Sequence, residues 1–195
     1  MTNSSIDIFH NIFSIAFFFQ VLYISFGIIS SEKNNTQFMI KQYDLIYFYS
    51  TIFFIISGII NIFDKSYLFI LHHIISWISI YYGYIYKDPD YIYWMSQNFL
   101  AEISSIFLSI DIIIKNIWKK KSSNFLKIVF FVSYTLVRII YLMPINFNFL
   151  LNYRFEDNYK YFLPISFYFM IGLNIYWFIL IIKKLINTFI KNYRF

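Results

Sequence analysis

The sequence predicts an all-α fold, a polytopic membrane helix bundle of about six transmembrane helices in one integral membrane domain, residues 1–195. Three observations carry this. Of the 195 residues, 59% are hydrophobic and only 13% charged, with a mean hydropathy of +0.59, more apolar surface than a water-facing domain can use. The apolar residues come in runs of about twenty, the length a helix needs to cross ~30 Å of hydrocarbon. No run alternates as a barrel strand would, and backbone groups in lipid must then be satisfied within helices.

The elements follow in order. Ile8–Ile29 comes after Asp7 with no basic residue ahead of it. It is longer than a signal-peptide core, and no small-x-small site follows "GIISSEK", so it reads as a retained membrane helix. "SSEKNNTQ" leads to the second span, Tyr43–Phe63, and "FDKS" to the third, Tyr67–Tyr86. "YKDPD" precedes a fourth span, Ile92–Ile114, and "KNIWKKKSSN" a fifth, Phe125–Met143. Such polar, turn-forming stretches are where a chain leaves the bilayer. Ile145–Tyr159, apolar at its start, is expected in the interface, and "NYRFEDNYK" opens onto the last span, Phe162–Ile182.

Charge gives sidedness. One face of this topology holds Lys65, Lys115, Lys119, Lys120, Lys121, Lys127, Lys183, Lys184, Lys191 and Arg194; the other holds Lys33, Lys41, Lys87, Arg154 and Lys160. Ten cations against five place both termini in the cytoplasm. The net charge of +6 is then a matter of loops meeting anionic headgroups, and no nucleic-acid partner is expected. The chain has no cysteine, which excludes disulfides and thiol catalysis. Ile, Phe, Tyr, Asn and Lys dominate, all encodable by A/T-rich codons, so histidine, arginine and intramembrane glutamate carry more information than aromatics or asparagines.

Ionisable residues near the bilayer centre cost roughly 2.5–3.5 kcal/mol each, so they face a protein interior. His72, Ser76, Ser79 and Gly83 share one face of the third span at helical spacing. Asn98, Glu102, Ser105 and Ser109 do the same on the fourth, and Tyr134, Arg138 and Tyr141 surround the intramembrane arginine of the fifth. The three stripes are expected to converge on one internal cavity, with a Glu102–Arg138 ion pair geometrically open to them. His72 would lie roughly 8 Å into the core at ~1.5 Å per residue. Adjacent residues diverge by about 100° on a helix, so His72 and His73 are poorly placed to share a metal, and neither a metal nor another cofactor is expected. The imidazoles remain as neutral core groups or as a general base or nucleophile. Asp111 and Lys115, spaced i,i+4, read as an interfacial pair.

"FILHHIISW" resembles the histidine-pair motif of the TLC domain, shared by ceramide synthases, translocon-associated TRAM proteins and other lipid-related membrane proteins. "FLAEISSIFLSID" is similar to the family's glutamate-serine segment, roughly thirty residues on. "FFVSYTLVRIIYLMP" resembles the helix that follows, with its arginine and a proline six residues later. Order and spacing agree over about residues 40–190. The resemblance implies helices around a central cavity that admits a lipid chain, and an intracellular location such as the endoplasmic reticulum. It also implies roles: His72 and His73 match the pair that ceramide synthases require for acyl transfer from acyl-CoA, and Glu102 and Arg138 match polar positions of later helices. Ceramide synthases carry aspartates four and seven residues before the glutamate, where this chain has Asn98 and Met95. Its Glu-Ile-Ser-Ser pattern is closer to the non-synthase TLC proteins.

The leading expectation is therefore a multi-pass membrane protein that binds lipid or influences membrane lipid composition, with membrane lipids as partners. A histidine-dependent N-acyltransferase using acyl-CoA through His72 or His73 is the alternative, and a TRAM-like translocon factor the second. Ser76, Ser79, Asn98, Glu102, Ser105 and Arg138 are the expected cavity-lining residues. The oligomeric state is not encoded in any feature of the sequence.

Overall fold

A computed structural model describes residues 3–31, 35–63, 66–118 and 124–193. Of the cations that set the expected sidedness, Lys33, Lys65, Lys119, Lys120, Lys121 and Arg194 lie outside the described residues. The described residues hold helices and no strand. They run α1 (Asn3–Ser30), α2 (Thr36–Phe63), α3 (Tyr67–Tyr86), α4 (Pro89–Asn98), a 3₁₀ turn (Phe99–Ala101) and α5 (Glu102–Trp118). Then follow α6 (Asn124–Tyr134), a π-helical segment (Thr135–Leu142), α7 (Met143–Asn152) and α8 (Phe162–Tyr193). Five stretches are long and apolar enough to cross a membrane: Asp7–Ser30, Thr36–Phe63, Tyr67–Tyr86, Asn124–Asn152 and Phe162–Asn187. The chain divides into two compact units, Met1–Phe130 and Phe131–Phe195.

In the first unit α1 packs along α5 and α2, and α2 along α3. Its interior is rich in serine: Ser14, Ser25, Ser50, Ser57, Ser79, Ser96 and Ser104 are all buried. Small side chains let helices approach closely where lipid removes the hydrophobic drive for them to associate. A lone hydroxyl in such a place bonds its own helix, as Ser14 Oγ does to the His10 carbonyl (2.7 Å) and Ser96 Oγ to that of Ile92 (2.8 Å). Large apolar side chains point outward instead, Tyr23 and Phe63 among them, as lipid-facing surfaces require.

The link between α3 and α4 is tight. Lys87 caps α3 in the left-handed region (φ 52°), its N–H bonding the Gly83 carbonyl at 3.0 Å. Its Nζ lies 3.3 Å from both Asp44 carboxylate oxygens on α2. Asp88 then caps α4, Oδ1 accepting from the N–H groups of Asp90 (2.8 Å) and Tyr91 (3.0 Å), with Pro89 at the first helical position. Both choices suit a helix start, where orphan N–H groups need acceptors and proline has none to offer. Asp88→Ala is expected to cost about 1 kcal/mol of stability, read as a lowered midpoint in detergent unfolding; an unchanged midpoint would show the cap to be idle.

The expected continuous fourth span is interrupted at Phe99–Ala101. Asn98 Nδ2 donates back to the Trp94 carbonyl (3.0 Å) and Ser104 Oγ to that of Ala101 (2.8 Å), side-chain bonds that compete with the helical ladder. Phe99 and Ala101 are buried, so packing holds the turn. Glu102 thereby opens α5 and sits at the positive end of its dipole. The expected fifth span is continuous but longer, and widens between Thr135 and Leu142. Pro144, just beyond, can neither donate an N–H nor sit comfortably over the carbonyl four residues back, which favours a wider turn before it.

Candidate functional site

Antiparallel packing of α1, α2 and α3 brings the start of α1, the end of α2 and the start of α3 to one end of the first unit. A short connection fixes the last two, with the Ser66 N–H bonding the Asn61 carbonyl at 2.9 Å. The three histidines of the chain meet at this end: His10 on α1, His72 and His73 on α3. His10 Nε2 shares a 3.0 Å hydrogen bond with Oγ of the fully buried Ser57 on α2. One turn earlier on α2, Phe53 meets the His73 ring edge-on at 5.8 Å, and Phe54 lies 5.3 Å from it. The rings of His72 and His73 are 5.5 Å apart. His10 is within electrostatic reach of His73.

The surroundings are aromatic. Phe53 stacks on Phe13 (6.0 Å) and Phe17 (4.1 Å) of α1, so a single α2 ring joins α1 to the His73 imidazole. Among the described residues, Nδ1 of His73 is enclosed and has no hydrogen-bond partner. Asn11 and Asn61 are buried at the same end, Asn11 Nδ2 donating to the Asp7 carbonyl at 2.7 Å. No three His, Cys, Asp or Glu side chains come together as a metal-ligand set among the described residues.

The remaining expected site residues are distributed along the fold. Ser76 is half-buried on α3. Ser79 is buried, its Oγ donating to the Ile75 carbonyl (2.8 Å) while its own carbonyl accepts from the Tyr91 hydroxyl (2.9 Å). Gly83 lies under the ring of Tyr43, whose hydroxyl donates to the Ile80 carbonyl at 3.3 Å. Glu102 and Ser105 are half-buried on α5, Ser109 is buried, and Asn98 sits across the 3₁₀ turn from them. Asp111 and Lys115 form the expected pair at 2.7 Å.

Arg138 belongs to the second unit. Its Nη1 donates to Oδ1 of Asn174 on α8 (3.1 Å), and its guanidinium lies 5.2 Å from the Tyr134 ring centre. The Tyr134 hydroxyl reaches the backbone carbonyl of Asn174 (2.9 Å) and its Oδ1 (3.3 Å). Tyr141, expected in the same cluster, is 41% exposed. A turn takes more residues in a π segment than the 3.6 of an α-helix, so the face of Arg138 passes to Leu142, which is buried.

Two residues of these clusters escape sequence reasoning. His10 stands apart from the adjacent pair, yet its rarity in an A/T-biased composition is the signal that marked His72 and His73. Asn174 carries no such signal, because asparagine is common here.

A family model for the TLC domain matches residues 1–183. No curated protein and no solved structure gives a significant match.

Proposed function

We propose, from the premise that the chain belongs to the TLC-domain family, that it is an integral membrane protein whose histidine end binds a membrane lipid and through it influences lipid composition. The observation that supports this is the meeting of three imidazoles from α1 and α3 among the rings of Phe13, Phe53 and Phe54, with one imidazole nitrogen enclosed and unpartnered. Leaving a buried polar atom without a partner costs roughly 1–3 kcal/mol, which a bound polar group would recover. An aromatic wall beside a polar tip suits a molecule that is apolar along its length and polar at one end.

Within the family we assign the chain to the proteins without ceramide synthase activity. Met95 is buried and Asn98 bonds its own helix, so neither supplies the negative charge that synthases hold there. Both termini are assigned to the cytoplasmic face on the distribution of lysines, and the endoplasmic reticulum is the membrane the family suggests.

The test is mass spectrometry of lipids retained by the purified chain in phosphatidylcholine nanodiscs, with acyl-CoA and a long-chain amine then added. The expected result is one lipid class enriched on the wild type and reduced about tenfold in His72→Ala and His73→Ala, the effect of losing one good hydrogen bond. No acylated product is expected. Retained lipid identical to the bulk nanodisc in all three proteins would overturn the binding reading. Acylated amine made by the wild type alone would replace it with the acyltransferase.

A further inference from the structure

We propose that His10, Ser57 and His73 form one hydroxyl-binding bay that takes the uncharged end of a lipid with a free hydroxyl group. The inference rests on the lipid-binding reading above and names the ligand's chemistry. The bay draws on three helices, since His10 comes from α1, Ser57 from α2 and His73 from α3. His10 and Ser57 already form a polar pair at 3.0 Å, while the Nδ1 of His73 is enclosed without a partner among the described residues.

The chemistry of that nitrogen limits the ligand. In a neutral imidazole one nitrogen donates and the other accepts, and which does which depends on the tautomer. A hydroxyl, being donor and acceptor at once, satisfies either. An enclosed atom admits only a small group, which excludes a bulky zwitterionic head. Charge is excluded separately. The walls are Phe13, Phe53 and Phe54, and moving an ion from water against such rings is costly unless a counter-charge is built in. Asp7, one turn before His10 and Asn11, adds negative charge and opposes an anion.

The chain of such a ligand has an apolar exit. Phe9 and Ile12 flank His10 on exposed positions of α1, and Phe69, Leu71 and Ile74 flank the histidine pair on exposed positions of α3. A long-chain alcohol or a diacylglycerol could enter laterally from the bilayer with its hydroxyl leading. A phospholipid could not.

The experiment uses the full chain in phosphatidylcholine nanodiscs with three photoreactive probes of one chain length: a long-chain alcohol, its methyl ether and the corresponding fatty acid. Labelled peptides are mapped by mass spectrometry. The alcohol is expected to label the peptides around His10 and His73 about tenfold more strongly than either other probe, and diacylglycerol to compete. Ser57→Thr, which keeps the hydroxyl, should retain that preference, whereas Ser57→Ala, His10→Ala and His73→Phe should each reduce it about tenfold. Equal labelling of this end by alcohol and ether, or preference for the acid, overturns the hydroxyl bay while leaving lipid binding standing. Labelling by none of the probes, with no lipid retained, overturns both. Ser57→Thr behaving like Ser57→Ala removes Ser57 from the bay even if His73→Phe fails to fold.

Discussion

Replacing Gly83 by valine is expected to destabilise the first unit by about 3 kcal/mol, the upper end of what overpacking costs. A Cβ at this position would stand 2.6 Å from the Tyr43 hydroxyl and 2.8 Å from two of its ring carbons. Tyr43 cannot easily withdraw, since it is 1% exposed and its hydroxyl bonds the Ile80 carbonyl. Gly83→Ala should cost less, because alanine in a helix interior recovers about 0.5–1 kcal/mol over glycine. Gly27, Gly58 and Gly172 meet nothing within 4 Å at the same construction, so alanine there should be neutral or mildly stabilising. The measurement is the unfolding midpoint in mixed micelles, with Tyr43→Ala as the second arm of a double-mutant cycle. If the contact is responsible, the two losses overlap in the double variant. Simple additivity would disprove it.

Asn174→Leu is expected to cost about 1.5 kcal/mol in the second unit. It removes the acceptor of the Arg138 Nη1 bond and one of the two acceptors of the Tyr134 hydroxyl. A hydrogen bond to a charged group contributes ~1.5–3 kcal/mol in water-soluble proteins. Within membranes measured values run lower, about 0.6 kcal/mol on average, because the unfolded chain in lipid finds other partners. Asn174→Asp supplies the sharper comparison. A carboxylate facing the guanidinium makes a charge-assisted bond, so this variant should match or exceed the wild type in thermal melts while the leucine variant falls below it. A loss of equal size in both would mean that Asn174 matters for its shape and not for its acceptor.

How far the sequence reveals the molecule depends on what kind of cause acts at each place. The third span is read to the residue, Tyr67–Tyr86, because serine before it and "KDPD" after it are local signals. The interruption at Phe99–Ala101 has no glycine or proline to announce it; it arises from side-chain bonds of Asn98 and Ser104 and from the burial of Phe99, which depend on the packed fold. Helical spacing does place Ser79 and Gly83 on a buried face. It does not show that Ser79 would turn its hydroxyl to its own backbone, or that Tyr43 would cover the glycine. At the candidate site the histidine pair is legible and its third member is not, since His10 lies some sixty residues upstream of the pair and only the antiparallel arrangement of α1, α2 and α3 brings it there.

The widened segment Thr135–Leu142 bears on how this part of the chain can change. A π turn is what an α-helix becomes when one residue is accommodated without shifting the helix on either side. Residue number therefore sets which way Arg138 and Leu142 face, more than residue type does. Side-chain substitutions along the segment leave that facing in place. Deleting a single residue would turn Pro144 and α7 by about 100° relative to Tyr134. This stretch can drift in letters but not in length.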